Sequence, residues 1–169
     1  MVYKRKRHWV TYHSEKCKMY LRNDFKFECA YCGMKEKDNV MGEQLFEKDH
    51  FVSRLSDVER DVDGYNNMVY ACRKCNGTKS NQNIEMILDP CKDDIYGGQN
   101  PHIRRSGAED YYKLRGVTSQ GQQLIDDLKL NSRFYRKMRQ TQAQSEQIRK
   151  MIYQLLGESP SLQSPEIAG

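Results

Sequence analysis

An α+β fold is what this sequence predicts: a small strand-and-helix unit stapled by one structural zinc ion and prolonged at its C-terminal side by helices. Three observations predict it. Two Cys-x-x-Cys pairs, Cys29/Cys32 and Cys72/Cys75, have the spacing of four ligands to one closed tetrahedral site. Short runs of strand-like sequence feed each pair. From Gln120 onward, apolar residues recur at three- and four-residue spacing, which is the helical period.

The composition asks for such a staple. Of 169 residues, 37% are hydrophobic and 30% charged, so the core is lean for the length. A bound metal makes good a shortage of buried apolar area. The basic start is not followed by an apolar run, and no stretch approaches a membrane span, so no membrane partner is expected. The setting is then cytoplasmic and reducing, which argues against reading the six cysteines as a disulfide framework. Cys17 and Cys91 stand outside the pairs and are expected to be inert thiols.

Taken in order, residues 1–24 form a basic, aromatic-rich arm in which Glu15–Arg22 has a short helical pattern. Net charge is +5, and much of the excess lies in Lys4, Arg5, Lys6 and Arg7. Such an arm suits phosphate contact, and Arg5 and Arg7 are its candidate nucleic-acid ligands. Residues 25–83 hold the predicted metal-stapled core. Phe25–Glu28 alternates apolar and polar as a strand entering the first knuckle, where Gly33 permits the tight turn. Gln44–Phe51 and Met68–Ala71 read as two further strands, with a polar, turn-like Ser53–Gly64 between them. Asn76–Gln82 reads as a short helix of poor intrinsic propensity that only metal and packing can hold. Residues 84–118 are expected to be an irregular connector packing on the core, broken by Asp89-Pro90, Gly97-Gly98 and Asn100-Pro101. Residues 119–157 form a helical extension, and 158–169, rich in Ser and Pro, a disordered tail.

The chemistry lies between and just after the cysteine pairs. Hydrolysis of a phosphodiester needs an activated water, a Lewis acid on the phosphate and relief of charge on the leaving oxygen. His50 is suited to take the water proton at neutral pH. Asp49 and the side-chain carbonyl of Asn76 offer hard oxygens that Mg²⁺ accepts. On a regular strand Asp49 and His50 point to opposite faces, so this reading demands a β-bulge or a strand end there.

The stretch from Cys29 to Asn81 resembles the HNH endonucleases, the zinc-bound ββα-metal nucleases with a treble-clef-like core. The pieces that carry the resemblance are the first Cys-x-x-Cys, "EKDHFVS", "GYNNMVYAC" and "CRKCNGTKSN". The resemblance implies Asp49 and Asn76 as ligands of a catalytic Mg²⁺ or Mn²⁺, His50 as general base, and DNA as substrate with 5′-phosphate and 3′-hydroxyl products. It implies that Asn67 orients His50 or tethers the loop, and that Lys79 serves phosphate or structure. Where the family often carries a final His, this chain has Asn76, an HNN variant; the amide oxygen favours Mg²⁺ or Mn²⁺ over softer metals. More loosely, "ILDPCKDD" and "TSQGQQLIDDLKLNSRFYRKMR" are similar to tails of small bacterial HNH proteins that accompany defence-type ATPases or retrons. That likeness implies a phage-defence or mobile-element setting with a partner protein.

Two other readings stand beside this one. A zinc-stapled nucleic-acid-binding module would keep the fold without catalysis, and an RNA nuclease would use the same backbone grip. One such site cuts one strand at a time, so a double-strand break requires a dimer, successive nicks or a partner. A homodimer is the expectation, and the apolar face of Ile148, Met151, Ile152, Leu155 and Leu156 is read as a surface for another protomer or another protein.

Overall fold

The structure is a computed structural model, and it describes residues 2–55, 61–81, 84–107 and 110–157. The expected disordered tail and the last position of the expected short helix, Gln82, lie outside these residues, as does part of the expected turn before Gly64.

Helix α1 spans Glu15–Asp24, with Glu15 in its first turn and Arg22 in its last, both favourable to the helix dipole. Cys17 and Leu21, one turn apart, are fully buried against the core. The strand expected at Phe25–Glu28 does not form. Lys26 and Phe27 take left-handed backbone (φ 54° and 59°), and Phe27 donates its N–H back to the Arg22 carbonyl at 2.8 Å. Satisfying the open carbonyls at the end of α1 outweighs a four-residue alternation that would have had only one partner strand. What remains is a single bridge between Glu28 and Lys35.

The knuckle closes as expected. The Cys29 N–H donates to Met34 at 2.8 Å, and Gly33 holds φ 69° at the turn. Strands β1 (Phe46–His50) and β2 (Met68–Cys72) form an antiparallel hairpin whose register runs unbroken from Phe46↔Cys72 to His50↔Met68. Every residue of β2 is buried. Helix α2 (Arg73–Asn81) follows without a break and packs on β1 and β2. Its sequence, RKCNGTKSN, has little helical preference of its own, so its tertiary contacts hold it.

The connector is more regular than its sequence suggests. It contains a second antiparallel hairpin, β3 (Ile103–Arg105) with β4 (Leu114–Gly116). Three-residue strands flanked by Gly and Pro leave too short a pattern to read, and tertiary contact creates them. Helix α3 (Ser119–Asp127) is capped by the Thr118 hydroxyl, which accepts from the Gly121 N–H at 3.1 Å. A Cβ at Gly121 would stand 2.0 Å from the His102 carbonyl oxygen, so this helix and the hairpin meet backbone to backbone.

Helix α4 spans Arg133–Leu156, so the polar stretch 139–147, which the sequence places between two apolar runs, does not interrupt it. Its inner face touches the metal-stapled core directly. The Tyr135 hydroxyl lies 3.1 Å from Cys75 Sγ, the Gln142 amide donates to the Gly33 carbonyl at 3.2 Å, and Arg149 pairs with Asp38. Gly157 ends the helix in left-handed backbone.

Candidate active site and metal centre

Cys29, Cys32, Cys72 and Cys75 converge, with their sulfur atoms all within 4.8 Å of one another and all four residues buried. Tetrahedral zinc with Zn–S bonds of about 2.3 Å separates its sulfurs by about 3.8 Å. Cys32 Sγ and Cys72 Sγ stand 3.8 Å apart. The outer contacts also suit thiolates: the Cys72 N–H points at Cys29 Sγ (3.3 Å) and the Cys75 N–H at Cys72 Sγ (3.4 Å). Burial pushes the Cys32 and Cys75 thiols well above their ordinary range. Cys29 is subject to the same push, yet hydrogen bonds from the other three hold it well below. Four buried sulfurs cannot share negative charge without a cation, and the donor set fits one Zn²⁺ with no open position.

The face of β1 that carries Glu47 and Asp49 looks onto α2. Asp49 is buried, accepting from the Tyr31 hydroxyl at 2.6 Å on Oδ2 and from Lys79 Nζ at 3.1 Å on Oδ1. Lys79 also donates to the His50 carbonyl. Burial pushes the Asp49 carboxyl above the usual range, and Lys79 only partly offsets it. One turn before Lys79 on α2, the Asn76 amide nitrogen donates to Glu47 Oε2 at 2.9 Å, and Arg73 pairs with Glu47 at 3.0 Å. Asn76 therefore reaches Glu47 rather than Asp49. Two carboxylates and one amide line this face; their oxygens are of the hard kind that Mg²⁺ accepts, though here the oxygens of Asp49 and Glu47 carry protein partners.

The opposite face carries His50, and β1 ends there without a bulge. Its ring stacks on Tyr12 with centroids 4.5 Å apart, and Nε2 lies 2.8 Å from Asp63 Oδ1. Arg54 donates to the same Asp63 oxygen at 2.7 Å and approaches His13 at 3.3 Å. His50 and Arg54 together hold the Asp63 carboxyl below its usual range. Among the described residues, Nδ1 of His50 has no hydrogen-bond partner, so an Nε2–H donated to Asp63 leaves Nδ1 as the proton acceptor.

Asn67 is a tether. Its Oδ1 accepts from the Val52 N–H at 3.0 Å, while its Nδ2 donates to the carbonyls of Val52 (3.0 Å) and Val62 (2.8 Å). Both ends of the loop that carries Arg54 and Asp63 are thus pinned beside β1. Of the basic residues expected to meet nucleic acid, Lys79 is buried against Asp49. Arg5 donates to the Met68 carbonyl at 2.9 Å with its side chain largely covered. Arg7 is exposed, over the exposed ring of Trp9.

Sequence reasoning did not find Glu47, Tyr31, Asp63, Tyr12 or Arg54. Glu47 sits two residues before Asp49, so strand periodicity was a usable signal for it. Asp63 was visible only as part of an Asp-Gly turn. Tyr12 and Tyr31 reach the site through tertiary contact and leave no local pattern.

A hairpin, a following helix and a four-thiolate zinc site, with Asp, His and Asn side chains on the hairpin and helix, define a ββα-metal unit. Residues 29–82, about a third of the chain, match the family model described as HNH endonuclease. No curated protein and no solved structure matches the chain. The match supports a nuclease and the four-cysteine cluster a metal site, and among the described residues no helix is long and apolar enough to cross a membrane.

Proposed function

We propose that this protein is a DNA endonuclease that uses Mg²⁺ or Mn²⁺, and that His50 is its general base. The observation that supports the reading best is the fixed ring of His50, with Nε2 on Asp63 and Nδ1 left to accept a proton. Asp49 and Asn76 would hold the divalent ion, which would supply polarisation of the scissile phosphate and relief of charge on the leaving oxygen. His50 takes the proton of the attacking water. Asp63 keeps the ring in the accepting tautomer, Asn67 holds the loop that bears Asp63, and Lys79 keeps Asp49 turned inward. Arg54, half-exposed beside His50, is placed to meet a backbone phosphate.

Cleavage of supercoiled plasmid with Mg²⁺ and Mn²⁺ tests this. His50→Ala is expected to lower the rate by about 10²- to 10⁴-fold, the range for a general base. Zinc content should stay at one per chain. Equal cleavage by the two proteins would remove His50 from the mechanism.

One observation favours a second reading, a zinc-stapled binding module. Both oxygens of Asp49 already have partners in Tyr31 and Lys79. Folded, zinc-loaded wild-type protein that binds DNA and never cuts it would support that module.

We assign the outer face of α4, where Ile148, Met151, Ile152, Leu155 and Leu156 are exposed, to a second copy of the chain, which would bring two sites to two strands. A monomeric mass by light scattering at working concentration would remove this assignment. The role in phage defence or a mobile element, beside an ATPase, rests on the likeness of the tail segments and is tested by co-purification from the native host.

A further inference from the structure

A cavity of about 290 Å³ lies between the N-terminal arm, the zinc knuckle, the β3–β4 hairpin and α4, and none of Asp49, His50, Asn67 or Asn76 lines it. Its wall includes Arg139, Arg104, Arg105, Tyr3, Tyr96 and Glu28. Arg139 is 4% exposed. Its Nε donates to the Tyr112 carbonyl at 2.6 Å and one terminal nitrogen to the Leu130 carbonyl at 2.8 Å. The other terminal nitrogen, Nη1, is buried and has no hydrogen-bond partner. No carboxylate among the described residues pairs with this guanidinium.

A buried cation with an open donor is costly unless an anion completes it. Burial works against the charge of Arg139; Tyr96 and Cys32 favour it, and Arg105 and Arg136 add repulsion. The acidic groups of the wall are Cys32, whose sulfur belongs to the four-cysteine cluster, and Glu28. The Glu28 carboxylate lies 3.4 Å from the Tyr3 hydroxyl and 3.6 Å from Lys35. Arg104 and Arg105 are exposed, the first reaching the Gln99 carbonyl at 3.5 Å and the second lying over the Tyr111 ring. Three guanidinium groups therefore share this wall with Glu28, which already has a lysine, and with Cys32, which is committed to the four-cysteine cluster.

We infer that this cavity binds a phosphate monoester on a small planar group, with Arg139 as the buried anchor and Arg104 and Arg105 at the entrance. Guanidinium groups match phosphate oxygens in pairs, and Tyr3 and Tyr96 give the planar part an aromatic wall. The volume sits at the lower end of ligand sites, which suits one mononucleotide unit and excludes a larger cofactor. That chemistry has two sources, a free nucleoside monophosphate or the 5′-phosphorylated end of a DNA strand. The inference does not depend on the nuclease reading, because it uses none of the proposed catalytic residues.

Calorimetric titration of the zinc-loaded full chain in Mg²⁺-free buffer tests it, with AMP, adenosine, inorganic phosphate, and a short oligonucleotide bearing either a 5′-phosphate or a 5′-hydroxyl as probes. One AMP per chain is expected to bind, or one 5′-phosphorylated oligonucleotide in preference to its 5′-hydroxyl form, with adenosine bound at least tenfold more weakly than AMP. The probe that binds identifies the source. The exposed-residue variants Arg104→Ala and Arg105→Ala should weaken binding about tenfold or more without altering the melting temperature, and Arg139→Lys should weaken it further. His50→Ala should leave it unchanged. The inference is overturned if neither phosphate-bearing probe binds the folded wild type at millimolar concentration, or if binding survives all three arginine variants intact.

Discussion

The two faces of β1 are built in different ways. The face that carries Glu47 and Asp49 meets α2 a few tens of residues further on, within the unit stapled by the four cysteines. Its partners are Asn76, Arg73 and Lys79 on that helix and Tyr31 in the knuckle. The face that carries His50 meets Tyr12 from the N-terminal arm and Asp63 and Arg54 from the loop after β1. The half proposed to hold the metal is thus part of the unit closed by the four cysteines, whereas the half that fixes His50, the proposed base, is assembled from separate chain segments. A defect in the zinc site should collapse both halves, while a defect on the His50 side should leave the fold intact.

Zinc removal is expected to have the largest effect. The four cysteines tie the knuckle to β2 and α2, and structural zinc contributes on the order of 10 kcal/mol in small metal-dependent domains. Chelation, or Cys72→Ser, should abolish the folded signal in circular dichroism. A cooperative unfolding transition retained by the metal-free protein would show that apolar packing alone suffices.

Asp49→Ala comes next and probes the α2 side. It strands Lys79, which is 5% exposed, without its carboxylate partner. Leaving one member of a buried ion pair costs about 3 to 5 kcal/mol. Denaturant unfolding should register that loss, and adding Lys79→Met should recover much of it. No recovery in the double variant would mean that Tyr31 and the local packing, rather than the ion pair, set the cost.

Asp63→Asn sharpens the comparison from the other side, with a smaller effect confined to function. The fold should be unchanged, because Asp63 lies on a loop pinned separately by Asn67. Cleavage should fall by about one to two orders of magnitude, as when the outer hydrogen-bond partner of a ligating histidine is lost. The loss should appear in kcat rather than KM, with the ring nitrogen shifts of His50 reporting a changed tautomer. A loss in KM alone would recast Asp63 as a substrate contact. The sign of the pH effect follows from the depressed Asp63 carboxyl. Its folded value lies below the unfolded one of about 3.9, so the pairing contributes fully above that value. The contribution fades only as pH falls through the folded value, so wild-type cleavage should show no break from Asp63 between pH 5 and 8.

Much of the stapled unit was legible in the residues alone. Paired Cys-x-x-Cys spacing announces zinc, because two thiolates on one turn can reach one ion. Asp49-His50 and Asn76 were singled out because their chemistry is explicit in residue type. The hairpin strands were placed to within two residues, since β2 is a short apolar run leading into Cys72. The strand expected at Phe25–Glu28 failed because a helix end upstream claimed the same backbone. The β3–β4 hairpin escaped notice because three-residue strands carry no measurable period.

By itself the sequence determined which atoms could bind zinc, which side chains could hold a hard cation or accept a proton, and that the chain after residue 119 is helical. These depend on residue type and on spacing of a few positions, and both are local. Only the tertiary structure decided that His50 leans on Asp63 and Tyr12, that Asn76 reaches Glu47, and that Arg139 is buried beside a cavity. Each of these is a contact between segments far apart in the chain, selected by packing and by the need to satisfy buried polar groups, and neither leaves a trace in local pattern.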